Sequence, residues 1–260
     1  MNIVVCIKQV PDTDKVTIDR ETNRLNRAGV PSIINPFDEN ALEMAVGLKE
    51  KYGGKVTVLT MGPPQAESAL RDALAVGADE AVLLTDKKFA GADTWATSYT
   101  LSGAIRKFEA FDLLLFGKQA VDGDTAQVGP GVARYLDLPM VTYAREIEAD
   151  DGTFRVKQVT EDGYDVWDVP APAACTVVKE ANTPRMPSLK LKMRAKKADI
   201  PVWSADDLEA DSEKMGLKGS PTKVVKIFRP PVKMNKEKLE GEPSEMATKL
   251  IHRLKERKLL

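Results

Sequence analysis

The chain has 260 residues, and its 38 Lys and Arg against 39 Asp and Glu give a formal net charge of -1. That length buries a sizeable core and suits one large domain, or one domain with an extension, while two full domains would be cramped. The balanced charge leaves no overall field to draw the chain to nucleic acid or an anionic membrane, so partners are to be sought locally.

Short runs rich in Val, Ile and Leu alternate with segments of helical period, the pattern of an α/β fold whose parallel sheet is covered by helices on both faces. Ile3 to Ile7 predicts the first strand, and Val16, Ile18 and Leu25 around Glu21-Thr22-Asn23 predict a β-hairpin excursion between Lys15 and Arg27. Asp38 is placed to cap a helix through Lys51, since Ala41, Leu42, Met44, Ala45 and Leu48 share one face and Gly53-Gly54 stops it. Further strands are predicted from Lys55 to Met61, Ala81 to Leu84 and Leu113 to Phe116, with helices from Gln65 to Ala75, Thr94 to Phe108 and Thr125 to Leu136. After Pro139 the pattern changes. Val141 to Ile147, Phe154 to Val159 and Tyr164 to Val169 predict antiparallel additions at the sheet edge, and Ala173 to Val178 a buried closing strand. From Pro184 the apolar content falls. The expected division is an α/β domain over residues 1–203 and an extended C-terminal arm over 204–260, ending in an amphipathic helix with Met246, Leu250 and Leu254 along one stripe.

Cys6 and Cys175 are far apart and form no CxxC pair, and His252 is the only histidine. A disulfide framework, a zinc site and histidine-dependent catalysis therefore have little support. The strand-like start and the lack of an apolar stretch near the ~20 residues of a membrane span predict a soluble, cytoplasmic chain without membrane insertion.

In an open parallel sheet a ligand lies beyond the carboxyl ends of the strands, near the point where strand order reverses. The loops expected there are Lys8-Gln9-Val10-Pro11, Met61-Gly62-Pro63-Pro64, Gly91-Ala92-Asp93-Thr94, and the stretch from Gly117 to Val128. The last leads small residues into a helix, whose free N–H groups at Ala126, Gln127 and Val128 suit a phosphate. Asp122 and Asp124 oppose an anion. Asp124 is expected to turn back and cap the helix, an interaction worth ~1 kcal/mol; two turn-forming aspartates without a ligand are the plain alternative. Gly129-Pro130-Gly131 lacks the third glycine of a dinucleotide fingerprint and falls inside the helix. Asn35-Pro36-Phe37-Asp38 reads equally as contacts for the edge of a base or as punctuation before a helix. Lys190, Lys192, Arg194, Lys196 and Lys197 beside Leu189 and Met193 form a basic strip, either a solvated loop or a docking surface.

Taken in order, Val5-Cys6-Ile7-Lys8-Gln9-Val10-Pro11, Asn35 through Glu43, Gly62-Pro63, Ala73 through Asp79 and Gly117-Lys118-Gln119-Ala120 resemble the electron transfer flavoprotein beta subunits, from residue 2 to roughly 200. The resemblance implies a Rossmann-like sheet of the adenine-nucleotide-binding type, an electron carrier with no catalytic or metal-binding residues of its own, and an alpha subunit whose flavin exchanges electrons with dehydrogenases. It implies base contacts from Cys6, Asn35, Pro36, Phe37 and Asp38, contacts at Met61 and Gly62, and phosphate binding by Gly117, Lys118, Gln119, Ala120, Val121, Asp122, Gly123, Asp124, Thr125, Ala126, Gln127 and Val128. Leu189, in Pro184-Arg185-Met186-Pro187-Ser188-Leu189, resembles the family's apolar anchor for a pocket on the dehydrogenase, and the arm is expected to pack on the alpha subunit. Gln158, Asp165 and Trp167 depart from the family's edge-hairpin pattern.

Val121 through Pro130, together with Asp93, Thr94 and Thr97, is similar to the branch from anaerobes that holds FAD in the beta site where other members hold AMP. That branch implies NADH as donor, a low-potential acceptor such as ferredoxin or flavodoxin, and an acyl-CoA or related dehydrogenase reached through the alpha flavin. A free-standing adenine-nucleotide hydrolase shares the architecture but calls for a Ser/Gly-rich loop after the first strand, where Lys8-Gln9-Val10-Pro11-Asp12 stands.

Overall fold

Strand β1 (Asn2–Ile7) is apolar almost throughout because both of its faces are covered: Ile3, Val5 and Ile7 enter the core on one side, and Val4 and Cys6 on the other. The computed structural model describes residues 1–12, 17–18, 25–26, 31–225 and 238–260. After β1 come β2 (Gln9–Pro11), β3 (Thr17–Ile18), β4 (Leu25–Asn26), β5 (Ser32–Ile34), β6 (Lys55–Met61), β7 (Glu80–Leu84), β8 (Leu113–Gly117), β9 (Met140–Asp150), β10 (Thr153–Val159), β11 (Tyr164–Pro170), β12 (Ala173–Val177) and β13 (Val202–Trp203). The main sheet runs β11-β10-β9-β12-β8-β1-β6-β7-β13. It is parallel from β9 through β12 to β13, with β9, β10 and β11 forming the expected antiparallel edge. From β1 the chain moves out to β6 and β7, then returns to the other side of β1 at β8. Strand order thus reverses between β1 and β8.

Helices α1 (Pro36–Tyr52), α2 (Glu67–Val76) and α5 (Leu189–Lys197) serve the core containing Ile3, and α3 (Thr94–Ile105) and α4 (Val128–Tyr135) the core containing Val4. The basic strip is helix α5, not a loop: the Ser188 hydroxyl accepts from the Leu191 N–H at 3.2 Å and starts it, and Ala195 is buried. β3 and β4 pair antiparallel, as the hairpin reading expects, while their connection lies outside the described residues. Along the edge, the departures from the family's pattern meet each other. The Trp167 indole N–H donates to Gln158 Oε1 at 2.9 Å, and Gln158 stands opposite Asp165.

Contacts divide the chain into two compact units, Met1–Lys223 and Val224–Leu260. Residues 204–223 pack within the first: Ala205, Leu208 and Met215 are buried beside Phe89 and Leu101, and the short α6 (Gly216–Gly219) follows. The second unit contains α7 (Pro243–Glu256), on which no residue is buried. Its Leu250 and Ile251 are each 48% exposed, and Val224 and Val225 are 81% and 86% exposed; the apolar run onward to Ile227 and Phe228 leaves the described residues. Among the described residues no helix is long and apolar enough to cross a membrane.

Candidate nucleotide-binding site

The ends of β1 and β8 are tied together by one buried carboxylate. Asp38 Oδ2 accepts from the Lys8 N–H at 2.7 Å and Oδ1 from the Gly117 N–H at 3.1 Å. Asp38 is therefore not the helix cap that the sequence suggests. Asn35 holds that position, Pro36 opens α1, and Asp38 sits inside its first turn. A glycine is required opposite it, because a Cβ at residue 117 would lie 2.6 Å from the Phe37 carbonyl carbon, 2.7 Å from the Asp38 nitrogen, and against Asp38 Oδ1. Fully buried Asn35 organises the loop beyond β8: its Nδ2 donates to the Gln119 carbonyl at 2.8 Å and its Oδ1 accepts from the Val121 N–H at 3.0 Å. Removing either partnership would strand buried polar groups, at about 1–3 kcal/mol each.

The two acids that seemed to oppose an anion are both engaged by the protein. Asp122 pairs with Lys8 Nζ at 2.7 Å, and Asp124 accepts from the Gln119 side chain. Asp124 does not cap α4. It and Ala126 have φ of +53° and +54°, left-handed values that no helix can include, so α4 starts at Val128 instead of Thr125. This shift changes the donors on offer. The N–H groups from Thr125 to Gly129 find no protein acceptor among the described residues, a longer run than Ala126 to Val128. Left-handed Ala126 followed by right-handed Gln127 turns successive N–H groups to one side, the concave arrangement that suits a phosphate oxygen.

The other residues singled out in the sequence fall around the same strand ends, except Leu189. Cys6 is buried on β1, and burial pushes its thiol well above the ordinary range, with Asp38 adding to the effect. It is a packed side chain rather than a reactive one. Met61 ends β6, and the Gly62 N–H bonds to the Leu84 carbonyl at 3.0 Å. Asp93 caps α3, accepting from the Trp95 and Ala96 N–H groups at 3.0 Å each; Thr94 reaches Gln127 Oε1 at 2.9 Å, and Thr97 lies half-buried in the next turn. Leu189 opens α5 and is 77% exposed. Sequence reasoning missed Lys8 as the counter-charge of Asp122. It also missed a cleft of about 170 Å³ lined by Trp95, Ser98, Arg134 and Tyr135. Gly131 signals that cleft, since a Cβ there would press on Ser98 where α3 and α4 meet.

Burial pushes the Asp38 carboxyl up to about 7, against the pull of the Lys8 and Gly117 N–H groups, the Asn35 side chain and the Lys8 charge. With the folded value above the unfolded one, the folded state binds the proton more readily. The group's contribution to stability is then full below pH ~4 and is lost as the pH rises through about 7. Urea melts of Asp38→Asn should show lower stability throughout and a flatter profile than the parent between about pH 4 and 7. Glu39 and Asp72, both raised by partial burial, remain in parent and variant alike. Parallel profiles would mean that Asp38 stays ionised.

A mostly parallel sheet covered by helices, with loop amides gathered where strand order reverses, gives the chain a Rossmann-like architecture. Residues 22–208 match the electron transfer flavoprotein domain. The chain is 53% identical over 261 residues to the electron transfer flavoprotein subunit beta of Thermoanaerobacterium thermosaccharolyticum, covering 100% of both chains. It is 48% identical over 262 residues to the caffeyl-CoA reductase-Etf complex subunit CarD of Acetobacterium woodii, again covering 100% of both, and 45% identical over 259 residues to protein FixA of Bradyrhizobium diazoefficiens, covering 96% of this chain and 90% of the relative. The chain belongs to the electron transfer flavoprotein family, as one of its beta subunits, and so is part of an electron carrier that pairs with an alpha subunit.

Proposed function

We propose that this beta subunit serves flavin-based electron bifurcation and that FAD occupies the crevice between β1 and β8, its pyrophosphate on the N–H groups from Thr125 to Gly129. The observation that carries the reading is that run of donors without protein acceptors at the switch point. Low side-chain bulk supports a ligand larger than AMP, since even a Cβ added at Gly123 would meet nothing within 4 Å. The names of the CarD and FixA relatives are compatible with it. Asn35 and Asp38 hold the loop in shape before the ligand arrives, and Lys8 offsets the charge of Asp122 that would repel phosphate.

When bound, FAD would accept one hydride from NADH, whose two electrons would divide, one to ferredoxin or flavodoxin and one, through the alpha-subunit flavin, to an acyl-CoA or related dehydrogenase. The C-terminal unit, Val224–Leu260, reaches the alpha subunit through its exposed apolar side chains, in the cytoplasm. Leu189 is the anchor for the dehydrogenase. Anaerobic NADH should bleach the flavin absorbance of the co-purified heterodimer within seconds. A housekeeping carrier with AMP in this site would stay oxidised, and that result would sink the reading.

A further inference from the structure

Three exposed apolar side chains, Met186, Leu189 and Met193, at 87%, 77% and 59% exposure, stand on a segment that is fastened on either side of them. On the N-terminal side, Asn40 and Asn182 exchange hydrogen bonds of 2.9 and 3.0 Å through their amides and carbonyls. Arg185 then grips two carboxylates of α1. Its Nε and Nη2 lie 2.9 and 3.0 Å from Glu43 oxygens, its Nη1 and Nη2 lie 2.6 and 2.9 Å from Glu50 oxygens, and its own N–H donates to Glu43 at 3.0 Å. Glu43 and Glu50 are seven residues apart, two turns along one helix face, so the planar guanidinium spans both. On the C-terminal side, Arg71 donates to the Ala195 carbonyl at 2.6 Å, and Arg194 to the Ala78 carbonyl at 2.9 Å.

Such fastening does nothing for the three side chains while they face water. It matters when they must enter a partner, because an anchor already held in place loses less conformational entropy on docking. We propose that Arg185 is a positioning residue for partner recognition, its clamp on Glu43 and Glu50 presenting the segment from Pro184 to Leu189 to the dehydrogenase. This rests on the reading of Leu189 as the docking anchor. Lysine can replace it only in part, since an ammonium keeps the charge but lacks the planar fork that holds two carboxylates bidentately.

The test uses the purified heterodimer with an acyl-CoA-type dehydrogenase, comparing Arg185→Ala, Arg185→Lys, Leu189→Ala and the pair Glu43→Gln with Glu50→Gln. Arg185→Ala should raise the KM for the dehydrogenase about 10-fold while kcat, cofactor content and NADH reduction of the carrier stay as in the parent, with Arg185→Lys between the two. The paired glutamine variant should match Arg185→Ala, and adding Arg185→Ala to it should bring no further loss, because all three residues form one device. A parental KM for Arg185→Ala beside a defective Leu189→Ala would overturn the clamp and leave the docking segment standing. If Arg185→Ala instead loses cofactor or thermal stability with KM unchanged, the clamp is only a structural prop. If Leu189→Ala is itself unimpaired, the docking reading falls and the proposal with it.

Discussion

Gly117→Ala should yield protein without nucleotide, destabilised by about 3 kcal/mol or more. The added methyl would sit 2.6 Å from the Phe37 carbonyl carbon and 2.7 Å from the Asp38 nitrogen, both main-chain atoms of the first turn of α1. Overpacking of this kind costs ~1–3 kcal/mol when side chains can shift, and here backbone must move instead. Moving it also breaks the bonds from the Lys8 and Gly117 N–H groups to the buried Asp38 carboxyl, adding another 1–3 kcal/mol or so. Gly123→Ala is the matched control, as its Cβ meets nothing within 4 Å and should leave stability and nucleotide content alone. Urea melts and nucleotide extraction on the pair decide the matter; equal behaviour would show that the crevice floor is not rigid.

Ala126→Glu should expel the beta-site cofactor while the alpha flavin stays. The backbone strain of a left-handed residue is already present with alanine, so the change isolates the effect of charge. A carboxylate about 4 Å from a phosphate oxygen meets repulsion of ~4 kcal/mol at an effective dielectric of about 20. Ala126→Gln, with the same length and no charge, should retain the cofactor far better. In the Glu variant, electron exchange with the dehydrogenase should survive and NADH-driven reduction should fail. Retention of two FAD and full NADH activity would put the nucleotide on another loop.

The strands were legible because each carries its own evidence: Ile3, Val5 and Ile7 against Val4 and Cys6 spell out two buried faces in consecutive letters. The loop from Gly117 to Val128 was legible as a motif, but its geometry was not. Nothing in the letters Asp-Thr-Ala announces left-handed backbone at Asp124 and Ala126, which is why the start of α4 was placed three residues early. The role of Asp38 was hidden for a different reason. Its partners Lys8 and Gly117 are 30 and 79 residues away, so local spacing gives only its place near a helix start. Residues 204–223 looked too poor in apolar side chains to be core, yet Ala205, Leu208 and Met215 are enough to fill space that the sheet and α3 already provide. The basic strip looked like a loop because its charges mask the single buried position, Ala195.

Whether the beta site holds a flavin is measured directly by the cofactor content of the co-purified heterodimer. Released by acid and separated chromatographically, the cofactors should be two FAD per heterodimer with no AMP. One FAD and one AMP would contradict the account, leaving the fold and family intact and removing bifurcation from this chain.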